Sequence, residues 1–287
     1  MKVLVTGATG YIGNYVVRKL LDLNHEVVAT GIETSIDHIP WKSEVEYIQF
    51  DNSKRVDLNL YNFFNKPDKL IHLAWSGLPN YNELFHYEEN LFNDYSFLKN
   101  LIINGLCDVC ITGTCFEYGM NEGVLKETQL SDPQNPYALA KDTLRKFLQQ
   151  LQKHHQFCFK WIRLFYMHGE GQNKKSILSQ LKSSIHNGDE VFNMSKGEQL
   201  RDYLPVENVA ANVVNIALQN KIEGIVNCCS GNPISIRTLV ENEVDRLNTK
   251  IRLNLGYYPY PDYEAMAFWG DSTKLKSTIK KEIMTNE

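Results

Sequence analysis

Three evenly spaced glycines near the start of the chain constrain its fold more than any other feature of the sequence. Residues 2–6 (KVLVT) form a short β-branched run, and Gly7, Gly10 and Gly13 follow it at intervals of three. The apolar residues that come next recur at helical spacing, and residues 26–30 (EVVAT) predict a second strand. A strand, a glycine-rich turn, a helix and a strand within about 30 residues are the setting of a dinucleotide-binding turn.

The three glycines have separate tasks in such a turn. Gly7 permits the tight turn, Gly10 lets the backbone approach a pyrophosphate, and Gly13 lets helix and strand pack closely. The N–H groups at the start of the helix have no partner within the helix, so they meet the phosphates. The predicted cradle consists of Gly7, Thr9, Gly10, Tyr11, Ile12 and Gly13.

The end of the second strand bears on which dinucleotide is bound. NAD-specific units usually carry an acidic residue there, which binds the ribose 2′-hydroxyl. The spacing places Gly31 at this position and Glu33 two residues later. A glycine leaves room for a 2′-phosphate, although no arginine stands beside it. The sequence therefore favours NADPH, and NADH stays open because Glu33 can substitute from the loop.

Strands and helices alternate along the chain, which predicts an α/β protein with a doubly wound parallel sheet. Asp51, Ala74 and Thr114 end three of the predicted strands and would line one edge of the sheet, where such sheets bind ligands. The further predicted strands are residues 45–51, 69–75, 108–114, 159–169 and 223–229.

The second half of the chain is less regular, with helices predicted at residues 176–188 and 235–247 and a loop at 257–264. We expect a dinucleotide-binding domain at residues 1–165, with a return segment at 203–230. A smaller substrate-binding part is expected at residues 166–202 and 231–287.

Composition excludes several classes of function. The net charge is −4 and no Lys/Arg cluster stands out, so we expect no nucleic-acid partner. No stretch approaches the roughly 20 apolar residues of a membrane span, and the start lacks the core of a signal peptide, so we expect a cytoplasmic protein. Cys107 and Cys110 have CxxC spacing without a second pair, and no metal site is predicted.

A tyrosine and a lysine on one predicted helix supply the chemistry. Tyr137 and Lys141 are four residues apart in residues 133–151 and share a helical face. An ammonium beside a phenol favours the phenolate, so we expect a lowered pKa for Tyr137. Such a tyrosine exchanges a proton with a carbonyl or an alcohol near neutral pH.

Together these motifs resemble the extended short-chain dehydrogenase/reductase family, which comprises sugar-nucleotide epimerases, dehydratases and reductases. The resemblance runs over nearly the whole chain. The matching segments are GATGYIG (7–13), HLAW (72–75), EENLFN (88–93), TGTCFEYG (112–119), NPYALAK (135–141), IRLFYMHGEGQ (162–172), RDYLPVENVA (201–210) and GDSTKLK (270–276).

The resemblance implies roles for residues at the matching positions. Thr114 would hydrogen-bond the substrate carbonyl, Tyr137 would act as acid and base, and Lys141 would hold the nicotinamide ribose. Further cofactor contacts are implied for Asp51 at the adenine and for Asn52, Leu73, Ala74, Trp75, Asn90, Thr112 and Phe165. Substrate contacts are implied for Cys115, Phe116, Tyr166, Phe192, Asn193 and Arg201, the last at the diphosphate of a nucleoside-diphosphate sugar. A homodimer is usual in the family.

Residues near Thr114 bear on which reaction of the family is catalysed. The 4,6-dehydratases share an Asp-Glu pair just after the catalytic Ser/Thr. This chain has Cys115 and Phe116 at those positions, which argues against dehydration. Tyr166 replaces an asparagine of the 4-epimerases. Cys115 and His168 suggest the epimerase-reductases that make GDP-fucose, but neither aligns with that pattern.

The simplest expectation is NAD(P)H-dependent reduction of the 4-keto group of a nucleoside-diphosphate 4-keto-6-deoxyhexose. The segments most resemble bacterial enzymes that reduce dTDP-4-keto-6-deoxyglucose to dTDP-fucose. The alternatives are a 4-epimerase with tightly bound NAD and a regulator that binds NADP without turnover.

Overall fold

The structure is a computed structural model that describes residues 1–54, 57–260 and 265–279. Parts of the predicted loop at 257–264 and of the predicted segment 231–287 lie outside the described residues. The strands are β1 Lys2–Thr6, β2 Glu26–Gly31, β3 Glu46–Gln49, β4 Lys69–His72, β5 Asp108–Thr114, β6 Gly123–Leu125, β7 Cys158–Leu164, β8 Tyr166–His168, β9 Val191–Met194, β10 Leu200–Pro205, β11 Gly224–Cys228, β12 Pro233–Ser235, β13 Arg252–Leu255 and β14 Phe268–Gly270. The α-helices are α1 Tyr11–Asp22, α2 Leu60–Phe63, α3 Leu91–Ile103, α4 Pro136–Gln152, α5 Ile177–Asn187, α6 Val206–Leu218, α7 Ile236–Arg246 and α8 Thr273–Ile279.

Seven strands form one parallel sheet in the order β11-β7-β5-β4-β1-β2-β3. The predicted doubly wound parallel sheet is confirmed. The segment predicted as one strand at 159–169 is two strands, β7 and β8. The chain leaves the large sheet at Phe165, whose N–H donates to the Cys228 carbonyl, and β8 then pairs with β10 instead.

Helices cover both faces of this sheet because successive side chains of a strand point to opposite sides. Val3 and Val5 of β1 pack in one apolar cluster with α1 and α6. Leu4 packs in the other with α3 and α4. Strands buried on both faces must be apolar throughout, which explains the runs in the sequence.

The remaining strands form smaller sheets. They are β12-β10-β8, β13-β9 and β14-β6. Helices α5 and α7 pack with β9 around Leu181, Phe192 and Val240. The return strand β11 belongs to the large sheet. The division of the chain into two domains at the expected boundaries stays a prediction.

A buried charge cluster lies near the amino end of β5. The Asp108 carboxylate accepts hydrogen bonds from Lys160 Nζ at 2.8 and 3.0 Å and is also paired with Lys69. Lys160 is fully buried and also donates to the Ala217 carbonyl at 3.0 Å. Asp108 therefore pairs with two lysines inside the fold.

In the described parts of the chain, none of the helices combines the length and the apolar character that crossing a membrane requires.

Candidate active site

The glycine-rich turn has the close packing that its sequence predicts. Gly7 has φ of +64°, and a Cβ on it would lie 2.9 Å from the Ala74 nitrogen. A Cβ on Gly13 would lie 2.1 Å from the Gly7 carbonyl oxygen. The turn joins β1 to α1, and Gly10 begins that helix. Since β1 lies where the strand order reverses, the turn opens onto the crevice in which such sheets bind ligands.

A cavity runs from this turn along the carboxyl ends of β1, β2 and β4. Of the predicted cofactor contacts, it is lined by Gly7, Thr9, Gly10, Asn52, Ala74 and Trp75. The other lining residues are Gly31 and Glu33, which were considered for the ribose from the sequence, and Thr6, Thr30, Ile32, Phe50, Ser76 and Phe97, which were not. Thr6 ends β1, and Thr30 and Gly31 end β2, so the predicted strand boundaries are the signal that could have pointed to these three.

Glu33 reaches back from its loop toward the glycine-rich turn. Its carboxylate accepts a hydrogen bond from Thr9 Oγ1 at 2.7 Å, and Tyr47 Oη donates to its backbone carbonyl at 2.9 Å. A Cβ on Gly31 would lie 2.6 Å from Glu33 Oε2, so the glycine makes room for the carboxylate. No lysine or arginine is among the described residues that line this cavity.

Asp51 does not line the cavity, unlike its neighbour Asn52. Its carboxylate is engaged locally, since Oδ1 accepts from the Ser53 backbone N–H at 3.0 Å and from Ser53 Oγ at 2.6 Å. The Asn52 amide donates to the buried Asp94 carboxylate. Asn52, and not Asp51, thus lies in the wall of this cavity.

The remaining predicted cofactor residues do not line this cavity. Asn90 donates to the Ser76 carbonyl at 3.0 Å, and Thr112 Oγ1 donates to the His72 carbonyl at 3.2 Å. Leu73 and Ile12 pack against the apolar core, and Phe165 is buried in another cluster with Cys115. The Tyr11 hydroxyl is buried, and the ring edge lies near Gly169 and Gly171.

The three predicted catalytic side chains come together beside this cavity. Thr114 ends β5, Tyr137 stands in the first turn of α4, and Lys141 follows one turn later. All three are less than a tenth exposed. The Tyr137 phenol lies within reach of the Thr114 side chain. Lys141 Nζ donates to the Thr112 carbonyl at 2.9 Å and lies 4.1 Å from the centre of the Trp75 ring.

The pKa of Tyr137 differs from the sequence expectation. Burial raises the pKa of Tyr137, as do the nearby Tyr81 and Glu117, and the Thr114 side chain lowers it only in part. The expected lowering by Lys141 is therefore wrong for these contacts, because loss of water around the phenol outweighs it. Burial also lowers the pKa of Lys141 to about 8, while Asp94 and Glu117 favour its charged form.

Glu117 is a residue of this site that sequence reasoning missed. It is fully buried, and its Oε1 accepts from the Thr114 backbone N–H at 2.9 Å. Arg163 Nε and Trp161 Nε1 donate to the same carboxylate at 2.7 and 2.9 Å. Because these donors neutralise and orient Glu117, the carboxylate fixes the backbone on which Thr114 is presented.

A second cavity, of about 700 Å³, lies on the other side of Tyr137. Small-molecule sites are commonly of this size. Of the predicted substrate residues, Tyr166, Phe192 and Asn193 line it; so do Pro79, Tyr81, His168 and Tyr203, which were not predicted as contacts. Tyr81 connects the two regions, since its ring centre lies 5.5 Å from that of Tyr137.

The other predicted substrate residues do not line this cavity. Arg201 is fully buried, and its Nη1 donates to the carbonyls of Leu200 at 2.9 Å and Met266 at 3.2 Å. Cys115 is buried, and Phe116 contacts Tyr81 edge to face at 5.3 Å beside an adjoining pocket. Within the described residues, no three His, Cys, Asp or Glu side chains gather as metal ligands.

Comparison with known proteins agrees with this geometry. Residues 3–229 match the model of the NAD dependent epimerase/dehydratase family. The chain is 30% identical over 276 residues to a dTDP-6-deoxy-L-talose 4-dehydrogenase (NAD(+)) of Aggregatibacter actinomycetemcomitans, covering 94% of this chain and 99% of that protein. It is 24% identical to a dTDP-4-dehydro-6-deoxyglucose reductase of Escherichia coli, with coverage of 86% and 82%.

A solved structure shares the fold at low sequence identity. It is UDP-glucuronic acid 4-epimerase from Bacillus cereus, in complex with UDP-glucuronic acid and NAD. Its TM-score is 0.82 at 20% identity, with coverage of 98% of this chain and 93% of that one. The predicted Rossmann-like fold and the predicted oxidoreductase family are confirmed. The chain belongs to the NAD dependent epimerase/dehydratase family.

Proposed function

We propose that the protein is an NAD(H)-dependent oxidoreductase that interconverts the 4-keto and 4-hydroxyl forms of a dTDP-linked 6-deoxyhexose. One observation carries the proposal: Tyr137, with Thr114 within its reach, contacts Trp75 of the dinucleotide cradle on one side and Tyr81 of the cavity of about 700 Å³ on the other. Cys115 and Phe116, beside this pair, offer no acid for an elimination. The site therefore has the groups for transfer of one proton at a carbonyl.

The residues around the cradle support NAD(H) over the NADPH that the sequence favours. A carboxylate accepts hydrogen bonds from ribose hydroxyls but repels a 2′-phosphate. Glu33 is held at the turn by Thr9, and Gly31 leaves room for it. Gly7 and Gly13 let the backbone of the turn pack closely, since a Cβ on either would meet backbone atoms. The residues present thus fit a bound NAD(H).

Two relatives support dTDP as the nucleotide and a 6-deoxyhexose as the sugar of the proposed substrate. Both are named for dTDP-linked 6-deoxyhexoses and for chemistry at C4, one as a dehydrogenase and the other as a reductase. The same Tyr137 serves both directions, because a group that donates a proton to a keto oxygen accepts it from the hydroxyl in reverse. Reduction of dTDP-4-keto-6-deoxyglucose to dTDP-fucose is one reaction of this class.

The residues of the chain contribute orientation and a proton. Bound NAD(H) would supply or accept the hydride. Thr114 hydrogen-bonds the keto oxygen and orients it toward Tyr137, which donates the proton. The raised pKa of Tyr137 keeps the phenol protonated for reduction. Lys141 carries the nearby positive charge that stabilises the oxygen as negative charge develops there.

Product analysis tests the proposal. The protein is incubated with dTDP-4-keto-6-deoxyglucose and either NADH or NADPH, and the sugar is identified by NMR. We expect consumption of NADH and a 4-hydroxy product. A 4-epimeric sugar formed from the 4-hydroxy substrate without net NADH consumption would indicate an epimerase. Tight NADH binding without turnover of any 4-keto-6-deoxyhexose would indicate a regulator and contradict the proposal.

We also propose a cytoplasmic homodimer. Helices α3 and α4 expose apolar side chains, with Phe92 54%, Ile103 49% and Leu139 45% accessible. A second copy of the chain would cover them. Light scattering after size-exclusion chromatography tests this, and a monomer at micromolar concentration would contradict it.

A further inference from the structure

Trp75 stands directly against the catalytic groups. It follows strand β4 in the segment HLAW, where the family pattern HLAA has an alanine. The centre of its ring lies 4.1 Å from Lys141 Nζ. Its ring also meets that of Tyr137 edge to face, with the centres 6.0 Å apart. An indole thus faces the lysine ammonium inside the site.

A buried histidine fixes the indole. Trp75 Nε1 donates to His86 Nδ1 at 3.0 Å, so His86 Nε2 carries the proton and donates to the Asn80 carbonyl at 3.0 Å. His86 is fully buried, and burial lowers its pKa, which keeps this tautomer neutral. The two rings stack at 6.2 Å with an angle of 22°. The indole N–H of Trp75 and both ring nitrogens of His86 therefore have hydrogen-bond partners.

The buried Lys141 ammonium needs a group, such as the Trp75 ring, that stabilises its charge. Only 2% of the residue is exposed, and the Thr112 carbonyl accepts one of its three N–H donors. Of the charged groups around it, Asp94 on α3 and Glu117 after β5 favour the ammonium, while burial disfavours it. A cation over an indole face is stabilised most where water is excluded.

We propose that Trp75 is a positioning residue that holds the charged Lys141 ammonium against its ring face, beside Tyr137, and that His86 fixes the indole for this purpose. The kinetic part of this inference rests on the proposed function; the geometric part does not. An alanine at this position would leave the ammonium without that contact.

Lysine NMR tests the geometry without any substrate. Protein labelled with ¹³C-lysine is prepared as wild type, Trp75→Phe, Trp75→Leu and, as a matched control on β14, Trp269→Leu; the Lys141 signal is assigned by its loss in Lys141→Met. We expect upfield-shifted ε-methylene protons for Lys141 in the wild type and the control, a smaller shift in Trp75→Phe, and none in Trp75→Leu.

Titration of the same signal tests the energetics. Loss of the ring contact should lower the pKa of Lys141 by about one unit in Trp75→Leu and by less in Trp75→Phe. The alkaline limb of kcat should move to lower pH by the same amount, while the KM for the sugar nucleotide changes little. A residue with only a structural role would not move these two midpoints together.

Two results would overturn the inference. One is an unshifted Lys141 signal in the wild type. The other is an unchanged Lys141 titration in a Trp75→Phe or Trp75→Leu protein that is folded by circular dichroism and binds NADH. A wild type that reduces no 4-keto sugar would refute the proposed function instead, and the NMR experiment would still decide the role of Trp75.

Discussion

Replacing Glu33 by glutamine should relax the preference for NADH over NADPH. The side chain keeps its size and can still accept a hydrogen bond from Thr9 Oγ1, which lies 2.7 Å from the carboxylate. What changes is the charge. The substitution therefore isolates the repulsion between Glu33 and a 2′-phosphate from effects on the shape of the cradle.

The size of the effect follows from the position of the carboxylate. Two unit charges about 4 Å apart interact by about 4 kcal/mol at a protein surface and by about 1 kcal/mol in bulk water. Glu33 is half-buried, so solvent screens part of the interaction. We therefore expect a repulsion of about 2 kcal/mol between Glu33 and a 2′-phosphate. That energy corresponds to a roughly 30-fold preference for NADH in kcat/KM.

The Glu33→Gln protein should lose this preference and also bind NADH less tightly. A hydrogen bond to a charged acceptor exceeds one to a neutral acceptor by about 1 kcal/mol, which lowers kcat/KM for NADH about fivefold. The ratio of kcat/KM for NADH to that for NADPH should then fall about 150-fold from both effects, from roughly 30 in the wild type to below one. The assay is kcat/KM for each cofactor at low salt, together with dinucleotide binding followed by fluorescence.

Glu26→Gln is the matched control, because Glu26 begins β2, the strand that precedes the Glu33 loop, and pairs with Lys2 on the surface. Its cofactor ratio should equal that of the wild type. The reasoning is refuted if the wild type uses NADPH as well as NADH, or if Glu33→Gln leaves the ratio unchanged.

Three further predictions concern catalysis and stability. Tyr137→Phe should retain NADH binding and lose about 10²- to 10⁴-fold in kcat, since the proton donor is removed; unchanged turnover would exclude Tyr137 from the mechanism. Activity should fall as pH rises through about 8, where Lys141 loses its charge; a kcat that is constant to pH 10, about two units higher, would contradict this role. Asp108→Asn should lower the free energy of unfolding by about 3 kcal/mol in urea titrations, because Lys160 keeps a buried charge without its carboxylate; a loss no larger than that of Glu26→Gln would refute it.

The fold could be predicted from the sequence because its signals are local. The turn from Gly7 to Gly13 depends on backbone conformation and close approach, which only glycine permits at those positions. The strand at Asp108–Thr114 was predicted with its observed bounds, since an apolar run bounded by polar helical segments is typical of a buried parallel strand. Thr114, Tyr137 and Lys141 followed from their spacing and their resemblance to a family pattern.

The surroundings of those residues depend on contacts between distant parts of the chain. The approach of Trp75 and Tyr81 to Tyr137, and of Glu117 to Arg163, is set by how helices and loops pack over the sheet. The raised pKa of Tyr137 is a consequence of that packing, since burial is a property of the folded chain.

The sequence by itself thus determined the parallel sheet and the dinucleotide turn, because each depends on short-range pattern. It also predicts Tyr137 as the proton donor, from spacing and resemblance. The tertiary structure alone decided that Glu33 reaches the turn across Gly31 and that an indole faces Lys141. Those contacts join residues from separate elements, and their energies depend on the water that folding removes.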